Sequence, residues 1–400
     1  MKDEKADIAS YYRRYYGQIF SALTSQFGTA YVSQIEDAIQ NAFYKSLKLW
    51  KANTSPKNKK NWLFIVAKND LLNQLKQKDK MANLEVPEQK QEEALEEDLR
   101  LMLIKVLCTS SLISNRLKVL FVLKNIFGLS VSEISSCTLL SEDAIYKSLS
   151  RSKKKFALVS KKDLDTHLTL NEDEMALLQE ILYAVFILGF DSFSEKNPSG
   201  YNEDLCLEAF AISKLLLEEA KDSSTYNLLA LFCFHLARIP ARMKDGKMLS
   251  FFEQNSDLWD KDLLNLGYKF LVKPEKINKY YLEALIVAKH MASEKMDLAH
   301  WNGIIKLYEQ LITISNSPIT KLNLCYCLHK AGRTEEAMIL ITKLDEELPT
   351  NHIHFSLLKS QIFKEDTAKS MQLLDESLNN IKQKIRREYI LENLSSDLKK

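Results

Sequence analysis

The chain has 400 residues and a mass of 46.2 kDa, enough for two to four domains, each with its own core. Glycine (9) and proline (7) make up only 4% of it, against roughly 12% in average globular chains, which excludes frequent tight turns and hairpins and favours helices. A hydrophobic fraction of 46% excludes global disorder, and a net charge of +2 names no partner by itself.

The opening stretch MKDEKADIASYYRRYYGQIF mixes acids with bases and lacks an apolar run before a small-residue cleavage site. No signal peptide or membrane association is therefore expected, and the chain is assigned to the cytoplasm. The next segment, Ile35 to Phe43, predicts an amphipathic helix with Ile35, Ala38, Ile39, Ala42 and Phe43 inward and Glu36, Asp37 and Gln40 outward. Local charge then divides the chain. Residues 44–80 hold ten lysines against Asp70 and Asp79, a balance of +8. Within them, NWLFIVAKNDLLNQLKQK predicts a helix presenting Lys68, Asn69, Asn73, Lys76 and Lys78 beside an apolar face that includes Trp62. Cations that neutralise phosphates, with amides and a ring for exposed bases, suit single-stranded nucleic acid. A solvated lysine face with Trp62 in the core is the alternative.

Residues 81–98 reverse the sign, with seven acids against Lys90, and predict a flexible acidic linker. Two apolar helical runs, LRLMLIKVLC and RLKVLFVLKNIFG, follow. A short helix (Leu129 to Ser136), a turn (Cys137 to Leu140) and a second helix capped by Ser141 come next. Glu142 and Asp143 suit the positive end of that second helix, and Ile134, Leu140, Ile145 and Leu149 lock the pair together. Tyr146, Lys147, Arg151 and Lys153 fall on or near the side a major groove would meet, and Lys154 extends the basic run. A generic helical hairpin with a basic tail is the competing explanation.

Beyond about residue 170, helical periodicity dominates. The clearest unit, 318–349, predicts a helix, a turn at Ala331-Gly332-Arg333, a second helix with Ala337 on its packing face, and a closing Pro349. Its length and pattern resemble a tetratricopeptide repeat. The six cysteines follow no metal-ligand spacing and read as buried apolar side chains. No glycine-rich phosphate loop, paired metal ligands or nucleophile elbow occurs. His235, His290, His300, His352 and His354 sit in apolar or surface helical settings. Accordingly no catalytic residue, metal or cofactor is assigned, and an enzyme is not expected.

Taken in order, IEDAIQNAFYKSLKLW, NWLFIVAKNDLLNQLK and GLSVSEISSCTLLSEDAIYKSLSRSKKKF resemble bacterial RNA polymerase sigma factors of the extracytoplasmic-function group of the sigma-70 family. LYAVFILGF, the stretch from Pro240-Ala241-Arg242 to Trp259, and WNGIIKLYEQLITISNSPITKLNL extend the resemblance to a subgroup with a helical, tetratricopeptide-like extension. The resemblance implies an all-α chain with four parts: sigma domain 2 (1–80), the acidic linker (81–98), a helix-turn-helix domain 4 (99–160) and the extension (161–400). It implies that Glu36, Asp37 and Gln40 contact core polymerase. It also implies that Trp62, Lys68, Asn69, Asn73, Lys76 and Lys78 capture and melt the −10 element. Ser141, Tyr146, Lys147, Arg151, Lys153 and Lys154 would read the −35 element. Lysine stands for arginine at Lys68 and Lys76, asparagine for aspartate at Asn73, and Ser148 for a common arginine. Lysine keeps the charge but loses the bidentate fork, so promoter sequence does not carry over. In the extension, Ile187-Leu188-Gly189-Phe190 and Ser256 also depart from the subgroup.

The expected function is thus transcription initiation, with core polymerase and promoter DNA as partners. The extension is expected to regulate it, through polymerase, another protein or the chain's own DNA-binding domains. A helix-turn-helix regulator or scaffold that does not bind polymerase is the alternative; the outward face of the 35–43 helix is the feature it would not need.

Overall fold

Apolar residues at helical spacing build nearly every element. Seventeen α-helices and one two-stranded hairpin form the regular structure among the described residues, an all-α fold. The computed structural model describes residues 2–50, 55–77, 98–138, 140–160, 164, 168–195, 197–348, 353–363, 372, 375, 378–379 and 381–398. Lys78, Pro349, His352 and all of the assigned linker except Asp98 lie outside them. Packing divides the chain into two compact units, residues 1–185 and 186–400.

In the first unit, α1 (Lys2–Phe27) packs on α2 (Val32–Leu49) and α3 (Lys59–Gln77). Tyr12 meets Phe43, and Trp50 meets Trp62 with ring centroids 5.3 Å apart. Leu63, Phe64, Ala67, Leu71 and Leu75 form the buried stripe of α3. The chain resumes with α4 (Arg100–Thr109) and α5 (Asn115–Phe121), then a π-type turn at Val122–Ile126, α6 (Val131–Cys137) and α7 (Glu142–Phe156). Rings carry the core across these helices, from Phe20 to Phe121 (6.1 Å) and on to Phe156 (4.7 Å). Gly17 sets how closely α1 approaches the π-type turn. A Cβ there would stand 1.7 Å from the Ile126 carbonyl oxygen, so any side chain forces the backbones apart. The helices of 2–77 and 98–156 therefore share one core.

α8 (Glu172–Phe190) carries the division between the units. In the second unit follow α9 (Glu203–Glu219), α10 (Ser223–Ala237), α11 (Lys261–Phe270), α12 (Lys279–Ala292), α13 (Leu298–Ile314) and α14 (Pro318–Lys330). All six open on a side-chain cap, in order Asn202, Asp222, Asp260, Asn278, Asp297 and Ser317. With glycine and proline scarce, these caps set the helix starts. α15 (Thr334–Lys343) and α16 (Ile353–Ile362) continue the stack, each helix from α12 to α16 packing on its chain neighbour. Ala337 is fully buried in that core beside Ile341, the position expected for the small residue of the repeat. The departure from helix is the hairpin of β1 (Met243–Lys244) with β2 (Lys247–Met248). Its two-residue turn, Asp245-Gly246, has φ of 50° and 75°, the geometry that glycine permits and that matches strand twist. α17 (Lys384–Leu398) packs against β2.

The five described cysteines, Cys108, Cys206, Cys233, Cys325 and Cys327, are free and buried, and burial pushes each thiol up to about 12. Among the described residues no helix is long and apolar enough to cross a membrane, and no cluster of three His, Cys, Asp or Glu is placed to hold a metal ion.

Candidate nucleic-acid interface

The helix-turn-helix is assembled by two caps. At the start of α6, Ser130 Oγ accepts from the Glu133 amide (3.2 Å), while the Glu133 carboxylate accepts from the Ser130 amide (2.9 Å). Glu133 also pairs with Arg13 of α1, which anchors α6 to the core. Burial pushes the Glu133 carboxyl up, but Arg13 and the Ser130 hydrogen bonds outweigh it and hold the group below the usual carboxylate range. Ser141 Oγ accepts from the Ala144 amide (3.3 Å), the cap expected from the sequence. Ile145, Leu149, Ser152 and Phe156 face inward along α7. Tyr146, Lys147, Ser150, Arg151, Lys154 and Lys155 are exposed, Tyr146 by 58%. Ser141 is exposed as well, and Lys153 is half-buried.

On α3, the exposed residues Ile65, Asn69, Asn73 and Lys76 follow one another at helical spacing and form one face. Trp62 is half-buried against Trp50. Lys68 departs from the sequence reading, which placed it with Asn69 and Asn73. It is 5% exposed, and its ammonium has no hydrogen-bond partner among the described residues. Positions 64, 67, 71 and 75 define the buried stripe, and 68 follows 64 by four residues and precedes 71 by three, so it falls on that stripe. Burial lowers its pKa.

A second correction concerns α2. Asp37 and Gln40 are exposed, but Glu36 is 5% exposed. Position 36 stands four residues after Val32 and three before Ile39, both buried, so it shares their side of the helix. Its charge is met by Lys153 of α7, at a contact that ties α2 to α7. Burial pushes the Glu36 carboxyl up, and Lys153 only partly offsets this. A cleft of about 720 Å³ opens beside the pair, lined by Glu36, Gln40, Tyr146, Lys153 and Lys154 among others. Two groups assigned to different partners are thus brought together, while Asn69, Asn73 and Lys76 line no part of this cleft.

Sequence reading missed two features. Tyr44 and Leu47 are about half exposed and continue the face of Asp37 and Gln40 at helical spacing, giving it apolar as well as polar character. The sign was there, since apolar residues at 44 and 47 lie off the stripe of Ile35, Ala38, Ile39 and Ala42. Asp70 is the other. It accepts from Asn41 (2.9 Å) and Gln74 (2.8 Å) and pairs with Lys45 at 3.5 Å, neutralising one base of the basic run. Burial pushes its carboxyl up, but those hydrogen bonds and Lys45 hold it below the usual range.

Residues 175–274 match a family of unknown function, DUF6596, which is found in sigma-70-like proteins. The chain is also similar to an uncharacterized protein of Rhizobium meliloti (strain 1021), 23% identical over 350 residues that cover 82% of this chain and 81% of that one. No solved structure matches it significantly.

Proposed function

We propose that this chain is a promoter-specificity subunit of bacterial RNA polymerase, acting in the cytoplasm and belonging to the extracytoplasmic-function group of sigma factors. The α2 face of Asp37, Gln40, Tyr44 and Leu47 docks on core polymerase. The Asn69, Asn73 and Lys76 face of α3 engages unpaired −10 bases, and α7 reads the −35 duplex with Tyr146, Lys147, Arg151 and Lys154. The observation that carries this reading is the separation of two exposed faces on adjacent helices. α2 presents acid, amide and apolar groups suited to a protein, and α3 presents amides and a base suited to nucleic acid. A regulator that only binds duplex DNA has no use for the first face. Stacking and hydrogen bonds of ~1 to 3 kcal/mol per captured base would offset the cost of unpairing. The extension regulates this activity.

The test is open-complex formation by the full chain with core polymerase and a promoter fragment, read by permanganate reactivity of unpaired thymines. Asn69→Ala combined with Asn73→Ala is expected to abolish melting while core binding persists. Normal melting by that folded variant would remove α3 from the mechanism.

A further inference from the structure

We propose that Arg238, in the turn after α10, anchors a binding site for a small oxyanion, either a phosphate or a carboxylate. The site lies in the second unit, and the inference stands apart from the sigma-factor reading. Three arginines gather here, and a single carboxylate, Asp191, is spent on two of them. Arg386 donates to Asp191 at 2.5 Å, and Arg242 stands 3.9 Å from it while donating to the Phe190 carbonyl. His354 approaches the same carboxylate at 3.8 Å. Among the described residues no acid pairs with Arg238. Its one hydrogen bond among the described residues runs from Nε to the Gln254 side-chain oxygen at 3.3 Å, and it is 8% exposed.

What the protein does provide is orientation. The guanidinium carbon lies 4.0 Å from the centre of the Phe251 ring and 5.8 Å from that of Phe190, and the Gln254 bond fixes rotation in the guanidinium plane. The two terminal nitrogens are left as an unused fork, the geometry that matches a carboxylate or phosphate with two parallel hydrogen bonds. A buried cation without a counter-charge is costly, and packing alone would be served as well by a neutral side chain. A second donor lacks an acceptor nearby. The Trp259 indole N–H is buried and unpartnered among the described residues, and its ring lies 6.1 Å from the same Phe251. Both donors thus lie against the same aromatic ring. Arg238, Phe251, Gln254 and Trp259 all fall within the segment matched by the family of unknown function. The local field agrees, since His290, 5.5 Å from Phe251, is held down to about 4 by burial, by His300 and by the charge of Arg238.

The experiment is a thermal-unfolding titration of the full chain with sodium phosphate and, separately, sodium acetate, at ionic strength held constant with sodium chloride. Wild type is expected to show a saturable rise of about 2–4 °C with at least one anion. Arg238→Gln should show none, and Arg238→Lys, which keeps the charge but loses the fork, should need at least tenfold more anion. The anion that saturates at the lower concentration assigns the class. No saturable rise in wild type, or the same rise in folded Arg238→Gln, overturns the proposal. Should Arg238→Gln fail to fold, the His290 titration followed by NMR decides. The anion should raise its midpoint in wild type and leave it unmoved in Arg238→Lys at the same concentration; equal shifts in both would overturn the proposal.

Discussion

Lys68 and Glu36 show how one turn of helix decides what a charged residue does. Both sit on the buried side of their helices, yet Glu36 has Lys153 and Lys68 has no hydrogen-bond partner among the described residues. An unpaired buried ammonium costs free energy that an apolar side chain of similar length does not. Lys68→Met is therefore expected to raise stability by about 1 to 2 kcal/mol in urea unfolding. A loss of stability would show that Lys68 is compensated in the free protein. The sequence carried the residue types of these sites but misplaced two, because a stripe was drawn from the strongest apolar positions alone. In α2, position 36 completes the 32–39 side, and in α3 position 68 completes the 64–71 side. A charge inside an apolar stripe is visible as a pattern, but whether it is buried is settled by the partner helix.

At the scale of elements, close approaches and caps matter more than propensity. The contact between α1 and the Val122–Ile126 turn joins residues about 110 positions apart in sequence. Gly17→Ala is expected to destabilise the chain by about 3 kcal/mol, as overpacking against backbone does, measurable as a drop in thermal midpoint. An unchanged midpoint would mean that α1 and the turn can separate freely. In the second unit, α12 and α13 share a pair of histidines, His290 and His300, hydrogen-bonded at 3.0 Å. His290 is held down to about 4 by burial, then by His300, Arg238 and Lys289. Its folded pKa lies below the unfolded value, so folding excludes a proton that the unfolded chain accepts. Stability is unaffected above about pH 6.5 and falls as pH drops toward 4, by up to about 3 kcal/mol. His290→Gln should flatten that part of the pH–stability curve; a curve identical to wild type would place the titration elsewhere. The helix starts of this unit were legible as Asn, Asp and Ser before apolar runs. The pairing of His290 with His300 was not, because it depends on how two helices face each other.

For the whole molecule, composition was a sound guide. Scarce glycine and proline excluded a sheet architecture, and the one hairpin among the described residues occurs where Asp245-Gly246 permits it. Charge segregation along the chain was also legible, but its three-dimensional consequence was not. The helices of 2–77 and those of 98–156 share a core and meet through Arg13 with Glu133 and Glu36 with Lys153. That placement sets the α2 surface beside α7, and both line the same cleft. The measurement that tests the central claim most directly is run-off transcription from genomic promoter fragments by purified bacterial core polymerase supplied with the full chain. Promoter-dependent transcripts that vanish with the Asn69→Ala, Asn73→Ala variant are predicted. Retention of duplex DNA by a chain that neither binds core polymerase nor starts transcription would contradict the account and leave a helix-turn-helix regulator in its place.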